Sequence, residues 1–173
     1  MDVRTETRLA GQVMRYHTYP TLQRQTNGEH TWQVLRIYDE MFGLWDREVA
    51  RWIVWHDAAE LRTGDIPYSA KQRHPALKAA ADEAEEAASV ALGIDWPQIT
   101  PIQRQRVKFC DVLEMYEFGL MEVRLGSQLG RAIVLDTAAD LQRRLTEMQE
   151  ADRVSWQSYR RAHSLPLLDE VRT

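Results

Sequence analysis

Apolar positions recur at helical spacing along nearly the whole chain, and no stretch alternates with the period of two that marks a half-buried strand. Leu9 and Val13, with Met14 beside them, predict a short amphipathic helix over residues 5–15. The following YHTYPTLQRQTNG contains Pro20, Asn27 and Gly28 and reads as a loop that wraps toward the next helix. That second helix is expected to start at Thr26 or Asn27 as cap and run through EHTWQVLRIYDEMFG. Trp32, Leu35, Ile37 or Tyr38, and Phe42 would face inward, and Gly43 would stop it. From about Asp46 to Arg62, Val49, Trp52, Ile53 and His56 form one stripe, with Gly64 ending this third helix and Pro67 barring its continuation.

A turn of helix over 69–73 precedes PALKAAADEAEEAASVALGI, where Pro75 suits a first helical turn and the alanines favour helix. The acidic run Asp82, Glu83, Glu85 and Glu86 reads as a solvated face. Long helices are expected over about 98–125 and 128–149, with a last helical piece before Pro166. The pattern predicts an all-α helical bundle of six or seven helices, one domain spanning residues 1–173.

Composition narrows the function. With 44% hydrophobic and 28% charged residues, the chain reads as an ordinary globular protein. A net charge of −4 argues against a nucleic-acid polymer as partner, because neutralising a phosphate backbone needs a basic stripe that is missing here. A small anion is still compatible, since a local cluster of cations or a metal binds one within an acidic protein. The lone Cys110 forms no internal disulfide, which fits a reducing compartment. No apolar run reaches membrane-spanning length and MDVRTETRLAG lacks the apolar core of a signal peptide, so a cytoplasmic protein with no membrane partner is expected.

The chemistry concentrates in WHDAAELRTGD. His56 and Asp57 stand four and three residues before Glu60, so all three crowd one side of the third helix. Taken alone the pair His56-Asp57 reads as a helix end with a satisfied histidine. Company changes that reading. Helices two and three are joined by a few residues and must pack as an antiparallel hairpin, which brings His30, near the start of one, beside His56 and Asp57, near the end of the other. Asp111 lies among apolar neighbours in RVKFCDVLEMYEF, where a carboxylate is costly to bury without a cation. Two imidazoles and two carboxylates suit a divalent transition metal with open positions for water and substrate.

The order His30, His56-Asp57, Asp111 resembles the HD superfamily of metal-dependent phosphohydrolases. RYHTYPTLQRQTNGEHTWQV, WHDAAELRTGDIPYSAK and RVKFCDVLEMYEF are similar to the three motif blocks of bacterial 5′-deoxynucleotidases and of small phage HD enzymes acting on deoxynucleoside triphosphates. The resemblance implies that His30, His56, Asp57 and Asp111 hold one metal, of the set Co, Mn, Ni, Zn and Mg, which activates water at a phosphate. It implies that Glu60 and Asp65 orient that water and protonate the leaving O5′, in an order the sequence leaves open. Arg15 matches an arginine that contacts the nucleotide, and Lys71 a lysine able to meet phosphate. Both also have a plain alternative as surface charges.

Tyr16 stands where the bacterial deoxynucleotidases have tryptophan, a departure that puts sugar discrimination in question. His17, Tyr19, Pro20 and Leu22 are candidates for the wall of a base pocket, or for pinning the loop to the core. His74 and His163 read as surface residues, Trp32, Trp52 and Trp55 as core, and Arg104 and Arg106 as phosphate contacts or an exposed face. The implied reaction is hydrolysis of the 5′-phosphate ester of a deoxynucleotide, with a slight preference for a triphosphate such as dATP over a monophosphate. A cyclic-nucleotide or alarmone phosphodiesterase ranks low. A metal-stabilised module that only binds nucleotides or protein is the reading of another class, and Glu60 and Asp65 speak against it. The family also implies a homo-oligomer, in the host cytoplasm if the chain is phage-encoded.

Overall fold

A computed structural model describes residues 2–43 and 46–172. Its nine α-helical segments are α1 (Val3–Ala10), α2 (Asn27–Phe42), α3 (Arg47–Trp55), α4 (Glu60–Thr63), α5 (Tyr68–Arg73), α6 (Pro75–Ala91), α7 (Pro101–Arg124), α8 (Gly130–Glu147) and α9 (Glu150–Ala162), with a 3₁₀ turn at Glu170–Arg172. Among the described residues there is no strand, only an isolated antiparallel bridge between Met14 and Thr26. No helix among them is long and apolar enough to cross a membrane. The all-α expectation therefore holds. The count exceeds six or seven because α4 and α5 are short pieces of four and six residues.

α7 is the axis of the fold. Pro101 occupies its first turn, and Thr100 and Gln103 cap each other reciprocally. Val107, Phe109, Cys110, Leu113 and Tyr116 are fully buried along it. α8 lies against α7 at two glycines: a Cβ on Gly119 would meet a Val134 methyl at 2.9 Å, and one on Gly130 would meet Glu122 Cβ at 2.8 Å. On the other side α2 packs on α7, and α9 closes the core through Trp156, edge-on to Phe109, and Tyr159.

α2 begins where the capping box Thr26-x-x-Glu29 places it and stops at Gly43, whose φ of 71° favours glycine. Its inward stripe differs from the expected one. His30, Val34, Ile37, Tyr38 and Met41 are buried, while Trp32 is 60% exposed. Once His30 turns toward α7, positions four, seven, eight and eleven residues on must follow it inward. α1 also ends earlier than residue 15, because the backbone after Gly11 pairs with the chain entering α2 instead: Asn27 N–H donates to Val13 O at 2.9 Å and Arg15 N–H to Gln25 O at 2.9 Å.

Candidate metal centre

The helix expected over residues 46–62 is interrupted. α3 ends at Trp55, and Ala58 N–H and Glu60 N–H donate to the carbonyls three residues back, Trp55 and Asp57. Such tighter winding eclipses residues three apart, so Asp57 and Glu60 come out on one side. Ala58 and Ala59 are buried, and neither has a side chain that obstructs the turn.

Four donor atoms converge at this turn. His30 Nε2 lies 3.3 Å from His56 Nε2, 3.2 Å from Asp111 Oδ1 and 3.6 Å from Asp57 Oδ2, and His56 Nε2 is 3.3 Å from that same Asp57 oxygen. With ligand bonds of roughly 2.0–2.2 Å, donors around a single ion stand roughly 3–4 Å apart, as these do. The donors of His30, His56 and Asp111 all fall within 4.8 Å of one another. The same Asp57 oxygen also faces Arg15, whose Nη1 donates to Oδ2 at 2.7 Å.

The far sides of both imidazoles are fixed. His30 Nδ1 meets Glu114 Oε2 at 2.5 Å, and His56 Nδ1 donates to Ile53 O at 2.6 Å. Each ring therefore presents Nε2 to the centre, which is the arrangement that metal-ligating histidines use. Trp52 stacks beneath His56 with ring centroids 6.2 Å apart, which sets the plane of that ring. The residues present fit a divalent ion by donor type, separation and orientation.

Electrostatics agree. Burial opposes ionisation of Asp111, but Lys108 and His30 outweigh it and hold its carboxyl well below the usual range. Asp57 is likewise lowered against burial, by His56 and Arg15. Burial lowers His56, whereas in His30 the carboxylates of Glu114 and Asp111 overcome burial and raise the imidazole to about 9. The two carboxylates that face the imidazoles are thus held in the anionic form. Glu60 behaves differently: burial, then the Asp57 carboxylate, push it up to about 8, although Asn27 Nδ2 donates to its Oε2 at 2.8 Å.

The cluster opens into a cleft of about 350 Å³, a volume in the range of small-molecule sites. Of the residues singled out by the sequence, Arg15, Tyr16, His56, Asp57, Glu60, Asp65, Lys71 and Asp111 line it; His30 sits behind them, fully buried. Asp65 Oδ2 accepts from Tyr16 N–H at 3.1 Å, and the Tyr16 ring lies flat on Phe118 with centroids 4.6 Å apart. Lys71 reaches Glu85 at 3.6 Å. His17 and Pro20 are exposed and lie outside the cleft lining, as does Leu22 at 61% exposure, so these three are not brought together with the metal donors. The loop turns at Tyr16, whose φ is +54°, and presents Tyr19 rather than its neighbours, with Tyr19 Oη 2.8 Å from Ser69 Oγ. Arg104 is exposed, and Arg106 pairs with Asp152 at 2.7 Å, so neither serves the cleft.

Sequence reasoning missed Lys108, Arg144, Tyr68 and Glu114. Lys108 Nζ lies 3.4 Å from Asp111 Oδ2 and above the Trp52 ring, and it lines the cleft. Lys108 and Glu114 stand three residues either side of Asp111, so helical spacing alone could have found them. Arg144 and Tyr68 enter from other helices and meet at Asp140, at 2.8 and 2.6 Å, and the local sequence carried no signal of it.

No protein-family model matches the chain, and neither does any curated protein. Among solved structures the chain resembles a cyanophage S-2L HD phosphohydrolase, DatZ, bound to dA and one catalytic Zn²⁺ ion. The TM-score is 0.57 and the identity 22%, over 91% of this chain and 98% of that one. The chain accordingly has the all-α fold of an HD phosphohydrolase.

Proposed function

We propose that this chain is a metal-dependent phosphohydrolase that cleaves the 5′-phosphate ester of a deoxynucleotide. The reading takes a deoxynucleoside triphosphate as substrate, with dATP tested first, and deoxynucleoside plus triphosphate as products. The observation that carries it is the convergence of His30, His56, Asp57 and Asp111 at the floor of a cleft that Arg15, Lys71 and Lys108 also line. The likeness to a phosphohydrolase that binds dA and Zn²⁺ supports it.

His30, His56, Asp57 and Asp111 would hold the ion. When bound, such an ion supplies Lewis acidity to a phosphate oxygen and lowers the pKa of water. Glu60 and Asp65 flank the donors and carry the proton traffic, since water must lose a proton and O5′ must gain one. Arg15, whose Nη1 donates to Asp57, and the point charges of Lys71 and Lys108 meet phosphate. Tyr16 and Tyr19 offer flat apolar faces beside the sugar and base. The reading locates all of this in one domain, acting as a homo-oligomer in the cytoplasm, where the buried Cys110 thiol stays reduced.

Hydrolysis of a deoxynucleoside monophosphate is the second reading. Lys78 and Arg144 line the cleft as well as Arg15, Lys71 and Lys108, each beside a carboxylate, and a longer phosphate chain engages more of these cations than a monophosphate does. Metal-stripped protein given Co²⁺, Mn²⁺, Ni²⁺, Zn²⁺ or Mg²⁺ with ribo- and deoxynucleoside mono-, di- and triphosphates tests both, with products resolved by chromatography. Release of triphosphate supports the first reading and release of phosphate the second; no nucleoside release with any metal overturns both.

A further inference from the structure

The loop from Arg15 to Gln25 is a closed strap. It leaves and returns at one place, where Arg15 N–H donates to Gln25 O at 2.9 Å and Gly28 N–H donates to Gly11 O at 3.0 Å. Its inner side carries Arg15 on Asp57 and Tyr16 on Asp65 and Phe118. Its far end has little to hold it by apolar burial, since Leu22 is 61% exposed and Gln23 and Arg24 are exposed too. Between Tyr19, bonded to Ser69, and Gln25, bonded to Glu114, a further side chain of α7 holds that end. Glu122 is fully buried, and its Oε2 and Oε1 accept the consecutive backbone N–H groups of Leu22 and Gln23 at 2.7 and 2.8 Å.

A buried carboxylate is costly, and an apolar side chain would fill the same space more cheaply. Here the carboxylate engages two main-chain amides instead of a cation, a use that only two acceptor oxygens on one residue can serve. The neighbouring helix makes room for it, because Gly130 brings α8 up against the Glu122 Cβ. Glu122 also continues a row along α7. Asp111 meets His30, Glu114 meets His30 and Gln25, Phe118 meets Tyr16, and Glu122 meets Leu22 and Gln23. Eleven residues of helix, roughly 16 Å, separate Asp111 from Glu122, so Glu122 cannot touch reacting atoms.

We infer that Glu122 is a positioning residue: it clamps the far end of the 15–25 strap and so fixes Arg15 and Tyr16 over the cleft. For substrate binding this rests on the phosphohydrolase reading; the clamp itself does not. Loss of the clamp lets the strap sample open positions, which weakens binding by the strap residues while the metal donors on α2, α7 and the 56–59 turn stay in place.

Two variants test it. Glu122→Gln keeps the shape but has one acceptor and turns an NH₂ toward an amide donor; Glu122→Met keeps the packing and has neither oxygen. Both are expected to keep helical circular dichroism and metal content while trypsin cuts after Arg24 roughly tenfold faster than in the parent chain. With dATP, KM should rise about five- to tenfold and kcat change by less than about twofold, the split expected when binding rather than the chemical step is lost. In the unaltered chain, hydrogen exchange should show the Leu22 and Gln23 amides slowed at least about 10²-fold despite their place in an exposed loop. Exchange at the open-chain rate overturns the clamp even if both variants fail to fold. Unchanged cleavage and KM with a lower melting temperature would make Glu122 a core residue only. Faster cleavage with unchanged KM overturns the link from strap to substrate. If the parent chain hydrolyses no nucleotide, the phosphohydrolase reading falls, and exchange and cleavage still decide the clamp.

Discussion

The floor of the cleft and its outer wall are built in opposite ways. The floor is α2 on α7, where His30, Glu114, Phe109, Cys110 and Tyr116 are buried and His30 is bonded to Glu114 across the two helices. The wall is α5 and α6. α5 buries no residue, and the seventeen residues of α6 bury Ala81, Ala88 and Ser89 alone. α6 packs chiefly on the short α4 and α5, and it faces the cleft with Lys78, Asp82 and Glu85. Local opening is governed by how much apolar surface a segment buries. The donors that must keep a fixed geometry are thus on the stable side, and contacts that tolerate movement are on the loose one.

Replacing the floor's donors should have the largest effect. Asp111→Ala and His56→Ala should bring both metal content and hydrolysis to background, measured by elemental analysis and product chromatography. Glu114→Ala leaves all four donors but frees the His30 ring, and metal affinity should fall about 10- to 100-fold by competition with a chelator. Glu60→Gln separates chemistry from metal holding: kcat should drop about 10²–10⁴-fold with metal content unchanged. Loss of the metal in that variant would mean that Glu60 is itself a ligand.

The wall should respond less. Lys71→Ala should raise KM for a triphosphate by about three- to tenfold with little change in kcat, and Lys108→Ala, from the floor, by more, since Lys108 is also held by Asp111 and Trp52. Equal effects from the two would erase the distinction between floor and wall.

The smallest effect concerns pH. Glu60 has a folded pKa of about 8, above its ordinary value of 4.5. Its contribution to stability is therefore complete below about pH 4.5 and is lost as pH rises through about 8. In metal-stripped protein, Glu60→Gln should be more stable than the parent at pH 8 than it is at pH 5, by on the order of 1 kcal/mol or more in urea unfolding. A pH-independent difference would show that Glu60 is not held protonated.

Much of the floor was legible in the sequence. The cap at Thr26 or Asn27 and the stripe ending at His56 mark two of the elements, and the hairpin they form, with the resemblance of the three motif blocks, points to His30, His56, Asp57 and Asp111. What escaped depends on distance between elements. Trp32 looked like core from its spacing, yet the register of α2 is set by His30 meeting Glu114, a contact across 84 positions. The break after Trp55 was hidden because nothing in WHDAAEL forbids a continuous helix. The strap residues were chosen by neighbourhood in sequence, and the positive φ at Tyr16 directs His17 and Pro20 outward.

The crossing of α7 and α8 has a bearing on how such a molecule can change. Gly119 and Gly130 have no side chain to react, bind or titrate, and a methyl group on either would collide with the helix opposite. α7 carries Lys108, Asp111, Glu114 and Glu122, so the spacing of that crossing sets where all four stand. Substitutions on the wall or the surface leave that spacing alone, whereas a side chain at either of these two empty positions would change it.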